Sequence, residues 1–431
     1  MDDPDAAGEA SLGLMTVPAP WHTRYQALAG ELSALAPGAP PVLVCSTVNL
    51  DEIFVMDADR LDRLVAAGEA AGGYAAQLVA GVRREVATGS DAELSWDWPE
   101  GPAWVGGVLG APDRAQVGGT GPQAAWALGV LGARTVMALQ CREREQVDVL
   151  PDGVLVCRAG SLVPVRDLVT TDGPARARHQ VLEIPRGTVR GGVPLARSHR
   201  LILRFAPIAL EVDPDFLSMQ PALARQAGGG LLSGLNGLSA SDTSSLRWTA
   251  DVARCWRDAG TEPRHLELGD TLHPDELRER VLSLRGLFSS LGLSLFELQR
   301  IWGGPGDPAR AALELAVGLG CQCVVVHADR WSMAVHRSAP ALMVRRLMAG
   351  NLLASARAGA TAPQVGLGPS PAATYAEDIP ASEELVGGWR ADCCPGPYLA
   401  HPAATIGLGD TFAAGLLLAG ALEGRAGSGT V

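Results

Sequence analysis

"TIGLGDTFAAG" (residues 405–415) is the stretch on which the reading of this chain turns. Gly407 and Gly409 flank Leu408, and Asp410 and Thr411 then lead into an apolar run from Phe412 to Leu422. Such a run suits a buried helix, and glycines ahead of a helix let successive backbone N–H groups turn toward one point. The helix N-terminus adds unpaired donors and partial positive charge, so loop and helix together form an anion cradle. Asp410 then has two readings. It is an N-cap worth about 1 kcal/mol, or it takes a proton from a hydroxyl while the loop N–H groups stabilise a transferring phosphoryl group.

The 431 residues suffice for a large α/β domain with a smaller appendage. A formal charge of -12 argues against nucleic acid or an anionic membrane as partner, because no basic face is there to release counterions. Lysine is absent, so all 35 basic residues are arginine. That excludes a Walker A loop, a pyridoxal Schiff base and the strand lysine of a protein kinase. The eight cysteines contain no C-x-x-C and no signal peptide precedes them, which reads as reduced thiols in a cytoplasmic protein. The longest apolar run is too short to span a bilayer, which takes about 20 residues. The acidic start, MDDPDAAGEASL, reads as a disordered tail.

Working back from the glycine loop, "PPVLVCSTVNLDEIFVMD" (40–57) reads as a buried strand that ends in a polar loop at Asn49 and Asp51. Residues 60–88 carry helical spacing. "QVGGTGPQAAWALGVLGARTVMAL" (116–139) reads as a glycine turn, an apolar helix and a strand. From 150 to 205 short alternating pieces suggest a small half-exposed sheet, and beyond 230 strands and helices alternate again. Residues 356–384 look like a loop. The expectation is an α/β fold: a central, mostly parallel sheet flanked by helices, with a small β-rich lid.

This ordered series resembles the ribokinase-like superfamily and, within it, the ADP-dependent sugar kinases, over most of residues 40–420. "STVNLDEI" is similar to the family's N-x-D sugar-binding strand end, which implies Asn49 and Asp51 as substrate contacts. "VGGTGPQAAWAL" resembles its glycine pair before a helix, Gly118 and Gly119. "RHQVLEIPRG" resembles a lid strand of H-x-x-x-E type, with His179 and Glu183, and "SHRLIL" a segment bearing a phosphate-contacting arginine, Arg200. "LLSGLNGL" is similar to a strand and turn of the family, and "RHLELGD" to H-x-E, with His265 and with Glu267 organising Mg²⁺. "VVVHADRWSMAV" resembles the nucleotide-side strand, with His327, and "GLGDT" the G-x-G-D loop, making Asp410 the base, with Gly407, Leu408 and Gly409 around the phosphates.

The resemblance implies a kinase that moves a phosphoryl group from ADP, giving AMP, to a hydroxyl of glucose, fructose 6-phosphate or a related small molecule. It implies a lead-in over 1–40 and a kinase domain over 41–431, with a discontinuous lid from about 52–112 and 150–205. One motif departs from the pattern: the family's N-E-x-E is Phe296-Glu297-Leu298-Gln299 here, so Glu297 and Glu267 would hold a hydrated Mg²⁺ without a third carboxylate. That departure motivates a second reading, a catalytically impaired sugar- or nucleotide-binding relative. A third keeps the fold with ATP as donor or a nucleoside as acceptor. Arg176, Arg178, Arg186, Arg190, Arg197, Arg200 and Arg204 crowd the expected lid and, if turned inward, would recognise a second phosphate. Nothing in the sequence sets an oligomeric state.

Overall fold

A computed structural model describes residues 20–428 apart from 90, 172–175, 177, 191–192, 240, 272, 304–305 and 365. The acidic tail expected at the start lies outside the described residues.

Val42–Cys45, a fully buried run of β-branched and apolar residues, is an interior strand of an 11-stranded sheet. On one side it pairs in parallel with Gly229–Leu232, which is followed by Arg264–Glu267, Ser290–Ser294 and Cys323–His327, all parallel. On the other it pairs in parallel with Thr135–Met137, which pairs with Val154–Arg158. Antiparallel strands close both ends: Trp331–His336, Arg390–Pro395 and Glu383–Glu384 at one, Ser161–Pro164 at the other. Strands buried on both faces need helices on both, and two separate apolar layers supply them.

The helix Leu408–Ser428 lies in one of these layers against Pro340–Ala358 and Thr120–Val130. Phe412 to Ala421 are all buried, as an all-round apolar helix requires. Its approach to Pro340–Ala358 depends on glycine: a Cβ on Gly415 would overlap the Ala349 backbone, and one on Gly350 would stand 2.7 Å from the Phe412 ring.

A second, five-stranded sheet runs in the order Ala92–Ser95, His199–Arg204, Arg178–Ile184, Asn49–Val55, Arg114–Gly118. Its own apolar layer is formed with the helices Ala58–Ala71, Gly73–Thr88 and Gly101–Leu109. The chain crosses from the large sheet to this one within Ser46-Thr47-Val48 and returns at Gly119, which takes a left-handed φ of 95°. Gly119 has no room for a side chain, since its Cβ would overlap the Thr47 carbonyl.

Two expectations are corrected. Asn49-Leu50-Asp51 is not a loop after the first strand but the start of a new strand in the second sheet. Val154–Arg158, expected in the smaller sheet because it alternates, belongs to the large one. Its neighbour Ser161–Pro164 sits at the sheet edge, half-exposed on its outer residues, and an edge position gives a strand of a buried sheet the look of a solvated one.

Candidate active site

Ligands of open α/β sheets bind beyond the carboxyl ends of the strands. Glu267 and His327 are the last residues of their strands, Glu297 follows Ser290–Ser294, and Asn49 lies four residues past Cys45. The N-terminus of Leu408–Ser428 faces the same crevice, and the second sheet covers it from the other side.

Asp410 lies in the first turn of that helix and is half-buried. Burial pushes its carboxyl up to about 6; the Thr120 hydrogen bond and the Arg200 guanidinium oppose this, and the charges of Glu267 and Asp51 add to it. A carboxyl placed so is a base near neutral pH. Gly407, at a left-handed φ of 78°, turns the chain into the helix, and its carbonyl accepts from the Thr411 hydroxyl at 2.6 Å. Leu408 opens the helix, and a Cβ on Gly409 would stand 3.1 Å from the His327 ring, so the loop passes directly over that histidine.

Beneath the loop lies a chain of imidazoles and carboxylates. Glu267 accepts from His327 Nε2 at 3.0 Å on one oxygen and from His265 Nε2 at 2.8 Å on the other. His265 Nδ1 meets the Ser290 hydroxyl at 2.9 Å, which fixes the ring. Burial works against the charged form of Glu267, but the two imidazoles outweigh it and hold the carboxyl below its ordinary value. Burial likewise opposes a charged His327, yet Glu267, with Glu297 and Asp410, raises it.

Glu297 forms a capping box with Ser294, accepting the Ser294 N–H at 2.7 Å, and burial pushes it up to about 7 against the pull of His327. The helix that carries it, Leu295–Trp302, turns Gln299 outward to solvent. The missing carboxylate of the altered motif is therefore missing from the surface rather than from the crevice. Asp270, not singled out from the sequence, stands close enough for its charge to act on Glu297; it accepts from Arg300 at 2.8 Å, and burial raises it to about 6.

Asp51 is buried and pairs in register with Gln116 on one side and His179 on the other. His179 Nδ1 lies 3.4 Å from its Oδ1, yet that oxygen has no hydrogen-bond partner. A buried carboxylate oxygen left open this way is a place for a ligand hydroxyl. Asn49 reaches Thr47 at a long 3.5 Å, and Gly118 faces it across the strand pair.

Arg200 donates through Nη1 to the Thr405 carbonyl at 2.9 Å and lies 3.6 Å from Asp91, leaving its buried Nε unpartnered. The other arginines expected around the lid do not converge. Arg176 pairs with Glu211, Arg178 with Glu52 and Glu145, Arg197 with Asp91 and Asp329, and Arg204 with Glu93. Arg186 is exposed, and the side chain of Arg190 lies outside the described residues.

Glu183 and Arg357 lie against the loop, and Arg114 pairs with Glu183. Glu183 stands in the lid strand that the resemblance named with His179, whereas Arg114 and Arg357 were not among the expected site residues. Arg357 is fully buried beside Gly407, donates to Ala360 at 2.7 Å and Gln116 at 3.4 Å, and is pulled down to about 10 by burial and by Arg114. In the sequence it falls at the start of the stretch 356–384 that looks like a loop, whereas it stands in the last turn of the helix Pro340–Ala358.

Among the described residues no group of three or more His, Cys, Asp and Glu side chains converges on a metal. No helix among them is long and apolar enough to cross a membrane.

No protein-family model matches the sequence, and no curated protein matches it. Solved structures do match. An ADP-dependent kinase in complex with fructose-6-phosphate and ADPβS aligns with a TM-score of 0.75 at 18% identity, over 94% of this chain and 98% of that one. A hypothetical ADP-dependent phosphofructokinase from Pyrococcus horikoshii OT3 aligns at 0.68 and 16%, over 90% and 99%. A reconstructed last common ancestor of the ADP-dependent phosphofructokinases from Methanosarcinales aligns at 0.66 and 17%, over 94% and 98%. With a large, mostly parallel sheet between helices and these structures as its likenesses, the chain has the fold seen in ADP-dependent phosphofructokinases and the ADP-dependent kinase.

Proposed function

We propose that the protein transfers the terminal phosphoryl group of ADP to a hydroxyl of a sugar or sugar phosphate, with Asp410 as general base. The observation that carries this reading is the Asp410 carboxyl, raised to about 6 at the N-terminus of a buried helix, with Arg200 and Asp51 of the second sheet close enough for their charges to act on it. Fructose 6-phosphate is the first acceptor to test, because the kinase complex of similar fold carries it.

Asn49 and the open Oδ1 of Asp51 hold acceptor hydroxyls. Asp410 takes the proton of the attacking hydroxyl; its oxygen bonds to the terminal phosphorus as the bond from that phosphorus to the bridging oxygen breaks, and AMP leaves. The N–H groups of residues 407–410 and the free Nε of Arg200 stabilise the charge on the phosphoryl oxygens. His327, under Gly409, borders the nucleotide phosphates. The second sheet acts as the lid, excluding water that would otherwise serve as acceptor. A cytoplasmic setting, where ADP is supplied, goes with this reading.

The donor set suits Mg²⁺ held through water: hard carboxylate oxygens, with Glu297 and Asp410 raised chiefly by burial and further by neighbouring carboxylates, and with both oxygens of Glu267 already accepting from imidazoles. When bound beside Glu267 and Glu297, the ion would neutralise phosphate charge.

The altered Phe296-Glu297-Leu298-Gln299 segment motivates one other reading, a binder without turnover. A matrix of ADP, ATP and GTP against glucose, fructose 6-phosphate and nucleosides, with and without Mg²⁺, separates the two. Metal-dependent AMP release that disappears in Asp410→Asn supports the kinase; turnover retained in that variant overturns the role of Asp410, and ligand-induced melting shifts without turnover favour the binder.

A further inference from the structure

Thr405, five residues before Asp410, is gripped by the second sheet at both of its backbone polar atoms. Its N–H donates to Glu183 Oε1 at 3.0 Å, its hydroxyl lies 3.3 Å from the same oxygen, and its carbonyl accepts from Arg200 at 2.9 Å. Glu183 and Arg200 are cross-strand partners in one antiparallel register, so acceptor and donor stand side by side at the spacing of a peptide unit. The other oxygen of Glu183 is held by Arg114, from the far strand of the same sheet. The next loop residue, Ile406, packs with Ile53 and Val181 of the second sheet in a small apolar cluster separate from the three main ones. Arg357 stands behind Gly407 and donates to Gln116, again of the second sheet.

The glycine loop thus belongs by sequence to the large sheet's helix and by contact to the second sheet. We propose that Glu183 is a positioning residue: through Thr405 it ties the second sheet to the loop, so that the sheet's placement sets the direction of the N–H groups at 407–410 and of the Asp410 carboxyl. Its kinetic readout rests on the proposed kinase activity; its structural readout does not. Buried and charged, Glu183 is a costly residue at this place unless every oxygen is satisfied, and its partners all belong to the loop or to its own sheet.

The test is Glu183→Ala and Glu183→Gln in the full chain, followed by amide hydrogen exchange over 404–410 and by steady-state kinetics with ADP, Mg²⁺ and the best acceptor. Glu183→Ala is expected to speed exchange in 404–410 selectively and to lower kcat by about 10- to 100-fold, with the KM for ADP changed less than about twofold. Glu183→Gln keeps an oxygen for Thr405 but loses the charge facing Arg114, and is expected to fall between wild type and Glu183→Ala in both readouts. Unaltered exchange at 404–410, or a rise spread evenly over the chain, overturns the proposal. Should Glu183→Ala fail to fold, Glu183→Gln decides by the same exchange criterion. A wild type without turnover on any donor and acceptor defeats the kinase reading, and the exchange result still decides the tie.

Discussion

Gly118 leaves the space that the Asp51 carboxylate occupies: a Cβ built on Gly118 would overlap both oxygens of Asp51, two positions along the neighbouring strand from its register partner. Gly118→Ala should therefore rotate or displace Asp51. We expect the KM for the acceptor to rise about tenfold or more, with the KM for ADP little changed, since the nucleotide side is built on other strands. An unchanged acceptor KM in a folded variant would remove Asp51 from the acceptor site.

Activity should depend on pH through Asp410. A base is active when deprotonated, so kcat/KM should rise with pH through about 6, the value to which burial raises the group, and level off above it. In Asp410→Asn that rising limb should vanish together with turnover. A limb at the ordinary carboxylate value of 3.8 in the free enzyme would contradict the burial seen in the structure.

The His327–Glu267 pair makes a stability prediction of definite sign. His327 is raised above 6.5, so its contribution is fully present below that value and is lost as pH rises through its folded value. Glu267 is lowered below 4.5, so its contribution is present above that value and is lost as pH falls through its folded value. His327→Gln should thus destabilise most between pH 4.5 and 6.5, by about 1–3 kcal/mol, and progressively less at higher pH. Denaturant melts at pH 5.5 and 9 compare the two regimes, and an equal loss at both would count against the ion pair.

Gly415→Ala places a methyl group into the backbone of Ala349, which has no flexible end to yield. The two helices must separate or shift, at a cost of about 1–3 kcal/mol. A denaturant midpoint within experimental error of wild type would show that this helix pair is looser than drawn.

Part of the site was readable because it carries a local rule. Gly407, Gly409 and Asp410 suggest an anion cradle by their order alone, whereas Glu267 and His327 were named only through the family resemblance. What was not readable depends on register and on distance along the chain. Whether Asn49 ends one strand or begins another is decided by its pairing with Gly118, 69 residues away, and nothing local to Asn49 shows it. Glu183 finds Thr405 across 222 residues of sequence. Arg357 falls in a stretch that looks like a loop, and its place beside Gly407 comes from burial that no local spacing shows. Gln299 looked like a lost ligand because it stands where the family's N-E-x-E pattern has a carboxylate, and only the helix beginning at Leu295 shows that this side chain faces outward.

The helix that carries Asp410 is made late. Ribosomes deliver the chain in order, and the apolar face of the strands at Val42–Cys45 and Gly229–Leu232, covered in part by Thr120–Val130, is completed by Leu408–Ser428. Until then the nascent protein holds open a long apolar surface, the situation in which chaperones are recruited and aggregation competes. The growing chain gains the proposed base Asp410 and the helix that completes this apolar layer in the same stretch of synthesis, so a molecule stalled short of that point lacks both.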